Sequence, residues 1–394
     1  MIYSIRPNRD ATIYESTQSM NTGIDEVLEI AKVVSASSTT NTFNSRILMD
    51  FDLSIVSKSI AAGVIGNYPH QTLPKFMLNL YTLQASQIDY KYGIEVFPVS
   101  QSWLMGKGRR ITRTFDGGFT HTKEGASWEY KDGENYFGNR WATSSQMAAG
   151  STGSFSTNPG GGHWYTASLD GSTTAGSQSF NYEKTDLRIN VTDMVSDWFD
   201  GTRIQDGFII LRSGSQEGGE VDEERNGKPY GSLQFFSTDT HTVYQPKLEL
   251  LWNDSTVSST SQILDTTLTE SIVDIKNLKH VYERNSRETF RLVVREKFPA
   301  KTFDTVSSAL TNNRLPSQSF YSVRDYVTDE VVIPFDESAT RLSADNNGNF
   351  FNLWMDQFYP NRRYKFVFKT LGGNFNYPTS QSIFDNEYIF KVTK

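Results

Sequence analysis

The chain has 394 residues, of which 37% are hydrophobic and 13% aromatic, with 26 Phe, 19 Tyr and 7 Trp. That is long for one ordinary sandwich and suits two or three domains with real cores, which excludes global disorder despite a mean hydropathy of -0.49. A net charge of -7 without any basic stripe argues against a nucleic-acid partner, and no segment reaches the roughly 18 consecutive apolar residues of a membrane span.

The N-terminal stretch Met1-Ile2-Tyr3-Ser4-Ile5-Arg6-Pro7 lacks the apolar run and cleavage site of a signal peptide, and the chain has no cysteine. Synthesis and folding in a reducing cytoplasm are therefore expected. Period-two alternation of β-branched and aromatic residues then dominates. It predicts strands at Asp10–Tyr14, Val27–Ala31, Arg46–Phe51, Phe76–Leu83 and Ile94–Val99. Residues 105–182 interrupt the pattern with Gly, Ser, Thr and Asn, yet carry Trp128, Trp141, Trp164 and Tyr165. Aromatics at that density argue for long ordered loops packed on a sandwich.

Strands resume at Asp186–Val191, Gly207–Arg212, Leu233–Phe236 and Lys247–Trp252. Between the first two, Val191 to Phe199 reads as a short amphipathic helix, capped near Thr192 or Asp193, with Met194, Val195 and Trp198 on one face and Gly201 ending it. A second, weaker helical signal lies at 57–62. The polar run 253–262 predicts a domain boundary. Beyond it, strands are expected at Ser271–Leu278, Thr289–Glu296, Val331–Pro334, Phe350–Met355, Tyr364–Thr370 and Tyr388–Val392. Pro360 followed by Tyr364 at the start of an alternating strand has the form of a tyrosine corner, in which the phenol bonds backbone a few residues upstream. The last region thus resembles an immunoglobulin or fibronectin type III sandwich.

Chemistry-bearing constellations are sparse. Glu129, Asp132 and Glu134 lie among Trp128, Tyr130 and Tyr136, but loop spacing fixes no separation between the carboxyl groups, and solvated charges are expected. His70, His121, His163, His241 and His280 are scattered without metal-ligand spacing. Asn158-Pro159-Gly160-Gly161-Gly162 has no following Lys-Ser/Thr, so a phosphate cradle is not expected. Two turns, 345–349 and 132–135, offer the hard oxygens that calcium takes. Neither has an EF-hand register, and Asn347-Gly348 is also the favoured hairpin turn. The mixed-charge insertion Gln216 to Lys228 reads as a solvated hairpin tip. No cofactor, metal or catalytic residue is expected, and the chain is not expected to be an enzyme.

Residues 10–252 resemble the DNRLRE-type domain, a jelly-roll module of bacterial surface proteins, carbohydrate-active multidomain proteins and phage structural proteins. The resemblance runs in order through Asp10-Ala11-Thr12-Ile13-Tyr14, Asn21-Thr22-Gly23, Ser45 to Leu53, Trp103, Gly125-Ala126-Ser127-Trp128 and Trp141. It is closest over Val191 to Gly201, Asp206 to Leu211, Phe236-Ser237-Thr238 and Gln245 to Leu250. The departures are the enlarged loop between Trp103 and Asp186 and the charged insertion. The C-terminal region, with Ser343 to Phe351 and the corner after it, looks like virion structural proteins of T4-like marine and cyanobacterial phages.

The expected fold is therefore all-β: a jelly-roll β-sandwich over 1–253, a linker over 254–270 and an Ig/FN3-like sandwich over 271–394. Trp198, Gly201, Pro360 and Tyr364 are its expected structural residues. The resemblance implies a non-enzymatic bacteriophage virion protein, made in host cytoplasm and resident in the particle. Its partners would be other virion proteins, in multiple symmetric copies. The competing expectation is a carbohydrate-binding adhesin that touches host glycans through Trp128, Trp141, Trp164 and Tyr165, although these four are expected first to pack under their own loops or to bury in a contact with a partner subunit.

Overall fold

The computed structural model describes residues 1–34, 42–65, 74–87, 92–110, 112–113, 119–120, 124–133, 139–141, 152–153, 160–165, 175–180, 186–213, 227–257, 271–298, 313–373 and 375–394. His70, His121, Glu134, Tyr136, Asn158, Pro159, most of the charged insertion and residues 258–270 of the expected linker lie outside them. The chain is all-β, and by contact density it divides into two units. One comprises Ser4–Ser57 and Lys75–Glu249; the other comprises Met1–Tyr3, Lys58–Pro74 and Leu250–Lys394. Among the described residues no helix is long and apolar enough to cross a membrane.

The unit containing residues 75–249 is a sandwich. Its large sheet runs Gly176–Phe180, Tyr92–Pro98, Phe208–Arg212, Thr42–Phe51, Val27–Val34, Gly231–Phe236 and Thr82–Ser86, with Pro7–Tyr14 paired to Thr42–Phe51. The smaller sheet runs Ile2–Ile5, Lys247–Leu251, Lys75–Leu80 and Leu187–Asn190. Spatial neighbours are distant in sequence, as a jelly roll requires. The helix Thr192–Phe199 closes one end of the core. Its Trp198 ring lies 4.8 Å from Phe208 in the large sheet, and its Phe199 ring lies 5.9 Å from Phe76 in the small one.

Three local expectations need correction. The helix is not capped by the side chain of Thr192 or Asp193; instead the Thr192 amide and hydroxyl both donate to Asn190 Oδ1, at 3.0 and 2.5 Å. Thr192 is thereby freed to accept the Phe76 amide at 2.9 Å, which ties helix to strand. The single strand expected over 76–83 is two, because the chain leaves the small sheet at Tyr81 and joins the large one. The weaker helical signal is a helix at Ser54–Ala61, starting where Asp52 Oδ1 accepts the Ser54 amide.

The other unit has the strand order of an immunoglobulin-like sandwich. One sheet runs Ser271–Lys276, Arg287–Glu296, Gly348–Trp354 and Ser343–Asp345. The other runs Val281–Glu283, Pro378–Thr393, Arg363–Gly373, Ser319–Asp325 and Val331–Ile333. These correspond to the A-B-E-D and G-F-C arrangement of that fold. Between the sheets Phe290, Phe351, Phe366 and Phe390 meet at centroid distances of 4.6–6.3 Å, stacked in the pairs Phe290–Phe351 and Phe366–Phe390, a core of rings in place of a disulfide. The tyrosine corner is present: buried Tyr364 starts its strand, its phenol oxygen accepts the Tyr359 amide at 2.9 Å, and its hydroxyl donates to the Tyr359 carbonyl at 3.4 Å. Pro360 sits in the turn between them. The first residues of the expected linker are fastened to this sandwich, since Ala344 N–H donates to Thr256 O at 2.9 Å and Thr256 N–H to Ser343 Oγ at 3.1 Å.

Candidate functional site

The aromatic residues of the long loops cover the outer face of the large sheet. Ala11, Ile13, Leu48, Ile209 and Leu211 present that face, and Trp103, Trp128, Trp141 and Trp164 lie on it as a buried layer. Arg46 projects from the same face between two indoles, its guanidinium 4.7 Å from the Trp128 ring and 4.9 Å from the Trp164 ring. It also donates to the Gly161 carbonyl. The glycines once weighed as a phosphate cradle serve this packing: Gly161 has φ +84°, and a Cβ there would collide with Arg46. Trp141 Nε1 donates to Ser127 O at 2.8 Å, and Trp103 Nε1 to Asp206 O at 2.9 Å.

Trp128, Trp141 and Trp164 are between 0 and 3% exposed, packed under their own loops as first expected and closed to a glycan as placed here. Burial under their own loops uses both faces of the rings. Tyr165 is half-buried, with the Arg203 guanidinium 5.1 Å from its centroid. The neighbouring carboxylates are engaged locally. Glu129 pairs with Arg140 at 2.5 Å, and Asp132 accepts the Asn139 amide and side chain at 2.7 and 2.8 Å. His163, buried and pushed below its ordinary pKa by that burial, lies 2.5 Å from Ser100 Oγ through Nδ1. In the other unit Asp345, paired with Gly348 (φ +115°) at the end of its hairpin, is held by Arg291 of the neighbouring strand Arg287–Glu296 at 2.8 and 3.1 Å. Among the described residues no three His, Asp or Glu side chains gather as a metal ion would need.

The structure brings together a different set of residues. A depression of about 360 Å³ is lined by Tyr14, Asp25, Glu26, Val27, Arg109, Arg110 and Gln234. Behind this lining the buried carboxylate of Glu29 accepts from the Tyr14 hydroxyl at 3.0 Å, Gln234 Nε2 at 3.2 Å, Arg110 Nη1 at 2.5 Å and the Ser232 hydroxyl. Burial and the Glu29 charge push the Tyr14 phenol well above its usual range, so it stays a donor. Arg110 also lies over the Tyr14 ring at 4.9 Å, and this double hold fixes its guanidinium although its side chain is half exposed.

Asn21 sets the position of the two arginines. Its buried amide accepts from the Gly23 and Gly108 backbones and donates to Met105 O at 2.7 Å and Ala126 O at 2.8 Å. A Cβ at Gly106 or Gly108 would strike Asn21, so only glycine lets the loop close on it. The chain then runs to Arg110, whose amide donates to Asp25 Oδ2 at 3.2 Å. Burial raises the Asp25 carboxyl above its usual pKa, with the Arg110 and Glu26 amides acting in the opposite direction. Nothing in residue spacing marked Arg109 and Arg110; the available signal was a doubled arginine directly after Gly106-Lys107-Gly108.

No protein-family profile matches this chain, and a search of curated proteins finds no matching relative.

Proposed function

We propose that the chain is a non-enzymatic structural protein of a bacteriophage particle, acting by assembly with neighbouring virion proteins. The observation that carries this reading is the work done by the residues of the resemblance. Asp10 ties the strand Pro7–Tyr14 to Thr238, Asn21 and Trp103 anchor the loops, Trp198 plugs the core, and Tyr364 pins the second sandwich. Each is a pin in a rigid scaffold. Two sandwiches stiffened in this way, without a disulfide, suit a part that is made in a reducing cell and must hold its shape in many copies. Quantitative mass spectrometry of purified particles tests the reading. The chain is expected at a fixed stoichiometry that survives repeated density-gradient purification, whereas a yield falling towards zero over successive gradients would refute it.

A further inference from the structure

We propose that the depression above Glu29 is a binding site for a neutral polyhydroxylated ligand, a pyranose at the end of a glycan chain. The inference stands apart from the assembly reading, since a particle protein need not bind sugar and a sugar-binding chain need not be in a particle.

The lining selects the chemistry. Arg109 is exposed on the rim in the field of Asp25 and Asp239, and among the described residues no hydrogen bond engages its N–H groups. Glu26 is exposed on the same rim and supplies carboxylate acceptors. Gln234 gives its amide nitrogen to Glu29 at 3.2 Å, and its carbonyl oxygen has no donor among the described residues. Planar donors and acceptors thus stand around one space, an arrangement that engages adjacent hydroxyls two at a time.

Other ligand classes fit less well. The guanidiniums of Arg109 and Arg110 share the lining with the carboxylates of Asp25 and Glu26, and Arg110 is already paired with Glu29 behind it, so the lining has no positive excess for phosphate or sulfate. The same two guanidiniums disfavour a metal ion. Val27 is its apolar lining, since the Tyr14 ring is buried and covered by Arg110, and that is too little for a hydrophobic ligand. The volume, about 360 Å³, is at the lower end of small-molecule sites, which run from about 300 to 1,000 Å³. Arg110, fixed by Glu29 and Tyr14, needs no reordering on binding.

The test is saturation-transfer NMR on the full chain with methyl glucoside, mannoside and galactoside, followed by titration of any that respond. At least one is expected to bind with a Kd on the order of 1 mM, the range reached by ligands of this size. Arg109→Gln and Glu26→Gln, both exposed and so neutral to folding, should each weaken it about tenfold. Lys365→Gln, in the other unit, should leave it unchanged. No transfer to any of the three sugars, wild-type binding in both rim variants, or tighter binding of inorganic phosphate would overturn the assignment.

Discussion

The guanidinium of Arg46, on a central strand of the large sheet, lies 4.7 Å from the ring of Trp128, on a loop whose described residues make no sheet pairing with that strand. Cation–π attraction and the bond to the Gly161 carbonyl fasten the loop layer where backbone ladders do not reach. Arg46→Met is expected to cost about 2–4 kcal/mol, the range for breaking a buried polar network. Arg46→Lys should recover little of it, because an ammonium cannot stack between two indoles. Urea denaturation followed by tryptophan fluorescence checks both, and a loss under about 0.5 kcal/mol in Arg46→Met would contradict the role.

Asp10 makes the stability of its unit depend on acidity. Burial raises its carboxyl to about 6, against the two hydrogen bonds it accepts from the Thr238 amide and hydroxyl at 2.8 Å each. A carboxyl with a raised folded-state pKa favours folding most when protonated. Its contribution is complete below about pH 4 and is lost as pH rises through about 6. The difference across that window is at most roughly 3 kcal/mol. Asp10→Asn keeps an oxygen for Thr238 and removes the charge, so it should match the wild type near pH 4 and exceed it at pH 7. Asp25, Asp50, Asp206 and Asp239 are also raised by burial, so the reading is the difference between wild type and variant across pH.

Two glycines with similar backbone angles separate conformational strain from collision. Gly201 has φ +72° and open space around a would-be Cβ, whereas Gly207 has φ +85° and a Cβ there would strike the Met49 carbonyl. Gly201→Ala should cost about 1 kcal/mol, the price of a left-handed residue with a side chain. Gly207→Ala should cost at least about twice that, because backbone must also move. Equal losses in thermal melts would show that the collision is relieved cheaply.

In the second sandwich, Tyr364→Phe leaves the Tyr359 amide without its acceptor while keeping the ring packed on Phe358 and Phe390. The expected loss is about 0.5–1.5 kcal/mol, that of one intramolecular hydrogen bond. Tyr364→Leu should lose more, since the ring contacts go too. Chemical denaturation of the full chain, with near-ultraviolet circular dichroism as the probe, measures both.

Much of the fold was legible because alternation is a local signal. The strand ending at Tyr14, the run Arg46 to Phe51 and the corner at Tyr364 all lie where their spacing placed them. Strands without that signal were missed. Ser319–Asp325 is buried on both faces through most of its length and does not alternate, and Pro378 to Glu387 is largely exposed and polar. The candidate site was not legible. Glu29, Arg110 and Gln234 meet only through sheet register and the closure of a glycine loop on Asn21, and no local pattern records either. The tryptophans drew attention because their composition suits a sugar platform, but ring faces pressed on Arg46 offer nothing outward.

The most direct test of the central proposal is a cryo-electron-microscopy map of purified particles, searched with each of the two sandwiches separately. The account predicts both at repeated, symmetry-related positions, with their outer surfaces against neighbouring subunits. A map complete to side-chain detail, with every subunit assigned and neither sandwich among them, would contradict it.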